Sequence, residues 1–229
     1  MKPWEQLGET RTPDGSLLTL SRRDREYVIH ANGRSLMSSL MHGSEEALAT
    51  IACRHVRTHA DARVLVGGLG MGFTLRATLD ALPADAAVIV NELLPAVVEW
   101  NRGPLSALAE HPLTDPRVEV MVGDVSVTLA SSRDRFDAVL LDVDNGPGAF
   151  TTSSNNGLYD NRGVAAAYAA LRDGGMYAVW SSREDRKFEQ RLRYTGFDVS
   201  VERVRARLNK GGPRHTIFVG RKLPSAARR

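Results

Sequence analysis

Four glycines fall within six residues, Gly67-Gly68-Leu69-Gly70-Met71-Gly72, between a short apolar run, Val64 to Val66, and a helical segment, Thr74 to Leu82. A plain strand-to-helix turn rarely needs so many residues without a Cβ. They are required where the backbone must turn tightly and a ligand must lie against it. The helix that follows offers its unpaired N–H groups at the same place. A strand that feeds such a loop and then a helix opens a βαβ unit.

The rest of the chain continues that pattern. Apolar runs at Val88 to Asn91, Val118 to Val122, Ala138 to Leu141 and Tyr177 to Trp180 have the length of strands buried on both faces. Between them, Pro95 to Leu108, Val125 to Ser131 and Gly163 to Leu171 read as helices. This alternation predicts an α/β fold with a doubly wound, mostly parallel, Rossmann-like sheet. Ahead of it, residues 1–43 read as a small β-rich appendage, with strands at Ser16 to Leu20 and Glu26 to Ala31 and a tight turn at Asn32-Gly33. Ser44, followed by Glu45 and Glu46, reads as the cap and acidic first turn of a helix. The nucleoside-binding domain is placed at 44–222, closing on a β-hairpin from Phe197 to Ala206 and His215 to Val219. A basic tail, 223–229, ends the chain.

Composition narrows the class of function. At 42% hydrophobic and 25% charged residues over 229 positions, the chain can bury one sizeable core. The single Cys53 rules out an internal disulfide framework and reads as a small buried hydrophobe. No run approaches the length of a membrane span, and MKPWEQLGET lacks an apolar signal core, so a cytoplasmic protein without membrane contact is expected. Net charge is +3, but four basic residues lie in the last nine, and removing them leaves −1 on the remainder. Such a tail reads as a solvated terminus, and no nucleic-acid partner is expected. The histidines show no ligand spacing with acids or with Cys53, so no metal site is expected.

The chemistry-bearing residues stand at successive strand ends. Gly68, Gly70 and Gly72 would line a nucleoside. Glu92, about 20 residues after the loop, is placed to accept the hydroxyls of a ribose. Asp124 and Val125 follow the third strand, where an acid can bond the exocyclic amine of adenine and an apolar side chain can cover its face. Asp142 and Asp144 close the fourth strand, where ligands of open α/β sheets bind, and they are the expected catalytic acids. Asn145, Tyr159 and Trp180 are expected at the acceptor substrate. The polar stretch FTTSSNNGLY, residues 150–159, reads either as a lid over that site or as a plain loop.

The segments VLVGGLGMGFTLR (Val64 to Arg76), Asn91 to Val97, DPRVEVMVGD (Asp115 to Asp124) and FDAVLLD (Phe136 to Asp142) resemble the spermidine synthase family, aminopropyltransferases on the class I S-adenosylmethionine-dependent methyltransferase fold. The likeness spans roughly residues 61–180. It implies that the glycines line the nucleoside, Glu92 holds the ribose, Asp124 binds the adenine, and Asp142 takes a proton from, or orients, the attacking amine. It also implies a homodimer.

Departures from the family cluster at the amine end. The glycine loop carries Met71 where the resemblance implies an acid, and Asn145 stands where it implies a second one. The family's glutamine, tyrosine and glutamate markers are not evident in residues 35–51. A buried ammonium without a carboxylate is costly, so these losses favour methyl transfer from S-adenosylmethionine to an amine or another small nucleophile. The alternatives are a true aminopropyltransferase using decarboxylated S-adenosylmethionine, with Asp144 in place of the missing acid, and a noncatalytic nucleoside-binding protein.

Overall fold

A computed structural model describes residues 2–143, 146–147, 156–208 and 212–224. Four strands, β1 (Glu5–Arg11), β2 (Leu17–Arg23), β3 (Glu26–Ala31) and β4 (Arg34–Ser38), form an antiparallel sheet in that order. Asn32 and Gly33 both have positive φ, 48° and 76°, which closes the β3–β4 hairpin as a twist-matched two-residue turn. Sequence pattern identified β2 and β3, whose Leu18, Leu20, Val28 and Ile29 are buried. The edge strands β1 and β4 carry little apolar signal and escape a periodicity reading.

Helix α1 (Gly43–Cys53) follows, with Ser44 inside it rather than at its cap. The residue before the helix is His42, which makes no side-chain capping bond. The hydroxyl that reads as a cap is committed elsewhere, as described below.

The main body then runs β5 (Arg63–Gly67), α2 (Phe73–Ala81), β6 (Ala87–Glu92), α3 (Pro95–Arg102), β7 (Val118–Val122), α4 (Val125–Ala130), β8 (Phe136–Leu141), α5 (Asn156–Tyr159), α6 (Asn161–Ala170), β9 (Leu171–Ser181), α7 (Arg186–Thr195), β10 (Phe197–Arg205) and β11 (Arg214–Lys222). These strands form one sheet in the order β10-β11-β9-β8-β5-β6-β7. β5 to β9 pair in parallel, and β11 lies antiparallel between β9 and β10. This is the doubly wound, mostly parallel sheet expected, with the N-terminal antiparallel sheet and the C-terminal hairpin beside it.

Strand residues alternate between two cores. Val64, Val66, Ala138 and Leu140 pack with α1 and α2 residues such as Leu48 and Leu75. Leu65, Val139 and Leu141 pack on the other face with Leu129, Val164 and Phe188. Each such large side chain contributes about 1.5–3 kcal/mol relative to exposure.

Two helices differ from the sequence reading. α3 was expected to reach Leu108 but stops at Arg102, because Gly103 is followed by Pro104, which lacks an N–H and disfavours helical backbone before it. α7 was not expected at all, since RKFEQRLRYT is mostly charged. It stands on two fully buried anchors, Phe188 and Leu192, one turn apart. Asp185 caps it by accepting from the Lys187 and Phe188 amides, and Gly196, at φ 106°, ends it. Among the described residues no helix is long and apolar enough to cross a membrane.

Candidate active site

The chain leaves β5 toward β6 and β7 on one side and later toward β8 and β9 on the other. The direction of winding therefore reverses between β5 and β8, and a crevice opens beyond their carboxyl ends. The glycine loop and Asp142 are the residues that leave those two strands.

The loop is shaped by backbone that side chains would forbid. Gly68 has φ 92°, and a Cβ there would stand 2.2 Å from the Asp142 carbonyl oxygen. β5 and β8 can approach so closely at their ends only with glycine in that place. Gly72 repeats the left-handed conformation at φ 87°, immediately before α2. Asn101 of α3 donates from Nδ2 to the Gly70 carbonyl at 2.8 Å and holds the loop from behind. Met37 of β4 hangs over it, its sulfur 3.4 Å from where a Gly70 Cβ would be. The small sheet thereby forms one wall of the crevice.

Glu92, 8% exposed, is pinned at the end of β6. Its Oε2 accepts from the Leu69 amide and its Oε1 from the Leu94 amide, both at 2.9 Å. Burial pushes its carboxyl up, against the pull of those amides. Each oxygen keeps a lone pair, so the carboxylate can still accept from a diol. At the next strand end, Asn91 donates to the Gly123 carbonyl at 2.7 Å and accepts from Thr128 at 2.5 Å, tying β6 to the turn after β7. In that turn Asp124 is exposed and caps α4 through the Ser126 amide at 2.8 Å. One of its oxygens has no such bond among the described residues. Val125 is 5% exposed and packs beneath Gly67, where a Cβ would meet its Cγ2 at 3.0 Å.

Asp142 accepts from the Thr74 hydroxyl of α2 at 2.5 Å. Burial pushes its carboxyl well up, and Thr74 moderates the rise. Sequence reading missed its neighbour. Glu45, in the first turn of α1, is raised by burial first and by the negative charge of Asp142 second. Two acids from elements nearly a hundred residues apart thus share one electrostatic environment, and no salt bridge reaches either among the described residues. Glu45 accepts from the Ser44 hydroxyl at 2.6 Å, and that hydroxyl also meets His215 Nδ1 of β11 at 2.9 Å. Trp180, at the end of β9, sets its ring edge-on to His215 at 4.6 Å, and its Nε1 is buried without a partner among the described residues. Trp180 is therefore joined to the acid pair through His215 and Ser44.

Tyr159 is placed differently. It is 5% exposed, stands T-shaped against Phe188, and donates to the Val143 carbonyl at 3.1 Å. It braces the backbone beside Asp142 from the α7 side of the sheet. Asp144 and Asn145 lie outside the described residues, as does the polar stretch up to residue 155.

One expectation is corrected. Met71 was read as facing the amine end of the site, but it is 4% exposed and packs into the core with α1 and α2 residues. The left-handed glycines on either side, Gly70 and Gly72, turn its side chain inward. The loop position that opens toward the N-terminal sheet is Gly70, so the loop presents no side-chain charge to the crevice.

No protein-family model matches the chain. It is 31% identical over 115 residues to the polyamine aminopropyltransferase of Thermococcus onnurineus strain NA1, covering 50% of this chain and 38% of that one. The same-named protein of Thermoanaerobacter sp. strain X514 is 30% identical over 120 residues, 52% of this chain and 41% of its own. The match thus spans about two fifths of these curated relatives. Among solved structures, spermidine synthase from Thermotoga maritima superposes with a TM-score of 0.73 at 19% identity, covering 95% of this chain and 72% of that one. A spermidine synthase in complex with the transition-state analogue AdoDATO gives 0.71 at 18% identity, with the same coverage. The chain is similar to these proteins over about half its length in sequence and over nearly all of it in fold. Its sequence likeness is to aminopropyltransferases, and its fold is that of spermidine synthases.

Proposed function

We propose that the protein transfers an aminopropyl group from decarboxylated S-adenosylmethionine to a small amine. The observation that carries this reading is the Glu45–Asp142 pair: two half-buried acids close enough for the charge of Asp142 to raise Glu45, with no salt bridge to either among the described residues. A carboxylate pair drawn partly out of water without an ammonium is mismatched in the same sense as an ammonium without a carboxylate. The glycine loop brings no acid, and Glu45 supplies one from the opposite wall. The aminopropyltransferase relatives support aminopropyl transfer over the methyl transfer that the sequence departures favoured.

The crevice suits a sulfonium nucleoside. Gly68 gives close backbone approach, Glu92 has free lone pairs for ribose hydroxyls, and the unbonded oxygen of Asp124 can accept from the adenine amine. When bound, the donor supplies an electrophilic carbon: the amine nitrogen bonds to it as the C–S bond breaks and sulfur keeps the electron pair. Asp142 accepts the proton that the incoming ammonium must lose before its nitrogen can attack. Thr74 and Tyr159 fix the position of Asp142, and Trp180 walls the acceptor side. Asp144 and Asn145 are assigned to acceptor contact. A homodimer is the expected assembly, and light scattering tests it.

A second reading, methyl transfer from S-adenosylmethionine, is favoured by the uncharged glycine loop, which puts nothing there to repel an α-carboxylate. Incubation of the full chain with putrescine and each donor in turn, followed by mass spectrometry, decides between the two. Spermidine formed from the decarboxylated donor supports the proposal. Methylated putrescine alone, or nucleoside binding with no product, overturns it.

A further inference from the structure

Behind the acid pair runs a hydrogen-bond chain that the transfer reaction as described does not use. Ser44 is fully buried, with its hydroxyl between Glu45 Oε2 at 2.6 Å and His215 Nδ1 at 2.9 Å. A hydroxyl has one proton, so it bonds both neighbours at once only by donating to one and accepting from the other. The chain therefore has two self-consistent states. With Glu45 ionised, His215 Nδ1–H donates to Ser44, and Ser44 donates to the carboxylate. With Glu45 protonated, the carboxyl donates to Ser44, and Ser44 donates to a bare Nδ1. Passage between the states moves a proton from the acid pair to the imidazole without moving a heavy atom.

The surroundings of His215 suit that traffic. Trp180 of β9 stands edge-on to the ring, and Val204 of β10 pairs with it in register, with Glu202 the next residue of β10 on that face. From α1, Glu45 faces it through Ser44, with Asp142 beyond. Glu46 is bonded to His42 at 2.7 Å instead. The ring is half-buried, and desolvation lowers its affinity for a proton, so at pH 7 it is neutral and holds a transferred proton only briefly before giving it up.

We propose that Ser44 and His215 form a proton exit from the active site, through which the proton taken from the acceptor amine leaves by way of Glu45. The inference rests on the reading of the acid pair as an amine site. The balance is simple. The ammonium gives its proton to the Asp142–Glu45 pair, and the Glu45 carboxyl passes a proton to the Ser44 oxygen while the Ser44 proton goes to His215 Nδ1. The imidazolium then releases its Nε2 proton to water. The imidazole is then left as the Nδ1–H tautomer, so a ring flip that presents its bare nitrogen to Ser44, with rotation of the Ser44 hydroxyl, resets the chain for the next transfer. Ser44 and His215 are positioning residues, since they act through Glu45.

Nitrogen NMR of the imidazole in the full, ligand-free chain tests the relay directly. His215 is expected to change tautomer as pH is raised through the range where Glu45 ionises, at about 8, from Nε2–H to Nδ1–H. Glu45→Gln and Ser44→Ala should each abolish the change. One tautomer throughout in the wild type, or an unchanged switch in both variants, overturns the relay. In turnover with putrescine and the decarboxylated donor, His215→Gln should lower kcat roughly tenfold with KM unchanged, less than the roughly 10²–10⁴-fold of a direct proton-transfer group because the acid pair still takes the proton. Added imidazole should restore part of the rate. An unaltered kcat in His215→Gln also overturns the relay. A wild-type protein that shows the tautomer switch but transfers no aminopropyl group removes the transfer reading and with it the relay's role in catalysis, so the two failures are told apart.

Discussion

Glu45→Gln should make the protein more stable, and the gain should depend on pH in a defined direction. Burial and the neighbouring Asp142 push the Glu45 carboxyl from 4.5 to about 8. In the folded protein it holds its proton to higher pH than in the unfolded chain. Between those values the native state binds more protons than the unfolded state, so wild-type stability falls as pH rises. Each unit is about 1.36 kcal/mol, so the full interval bounds the penalty at roughly 4–5 kcal/mol above pH 8. Solvent at the open side of the crevice screens part of that, and we expect a gain of about 1–2 kcal/mol at pH 8. Glutamine keeps an oxygen to accept from Ser44, so the substitution changes charge and little else. Urea denaturation of both proteins from pH 4 to 9 measures it. The curves should coincide at pH 4 and separate progressively up to about pH 8. Parallel curves, or a variant less stable at pH 8 than the wild type, would refute the claim that Glu45 is held where its charge is unwelcome.

Three further outcomes follow from the site's geometry. Thr74→Val removes the hydroxyl that lowers Asp142, so the acidic limb of the pH profile for kcat/KM should move to higher pH, and a shift to lower pH would contradict the assignment. Glu92→Ala leaves the Leu69 and Leu94 amides without their partner, which should cost about 2–4 kcal/mol in urea denaturation and abolish nucleoside binding by calorimetry. Gly68→Ala puts a methyl group against the Asp142 carbonyl in a left-handed backbone, and a loss of at least about 2 kcal/mol is expected by the same assay.

Much of this site was legible in the sequence because a parallel strand buried on both faces has a simple signature: a short apolar run, then an abrupt change to glycine or acid. Gly67 to Gly72, Glu92, Asp124 and Asp142 all follow that rule, and each stands at a strand's carboxyl end. Glu45 does not. An acid in the first turn of a helix is already accounted for by the helix dipole, and only the docking of α1 across the strand ends brings it to Asp142. The Ser44–His215 bond joins residues 171 positions apart, beyond any local pattern. Met71 misled because loop composition says nothing about which way a side chain turns between two left-handed glycines. The edge strand β1 and helix α7 were hidden for a common reason: each is mostly solvated and offers few buried residues from which a period can be read.

The overhang of Met37 on Gly70 means that the crevice is lined by two different sheets, one of which contributes only a wall. The glycine loop, Glu92 and Asp142 are all anchored in the parallel sheet and do not depend on the identity of the β4 residue above them. Specificity at that wall can therefore drift by exchange of hairpin residues while the proposed nucleoside contacts stay fixed. Grafting β3 and β4 from a relative onto this body would be the most economical route to a changed donor preference.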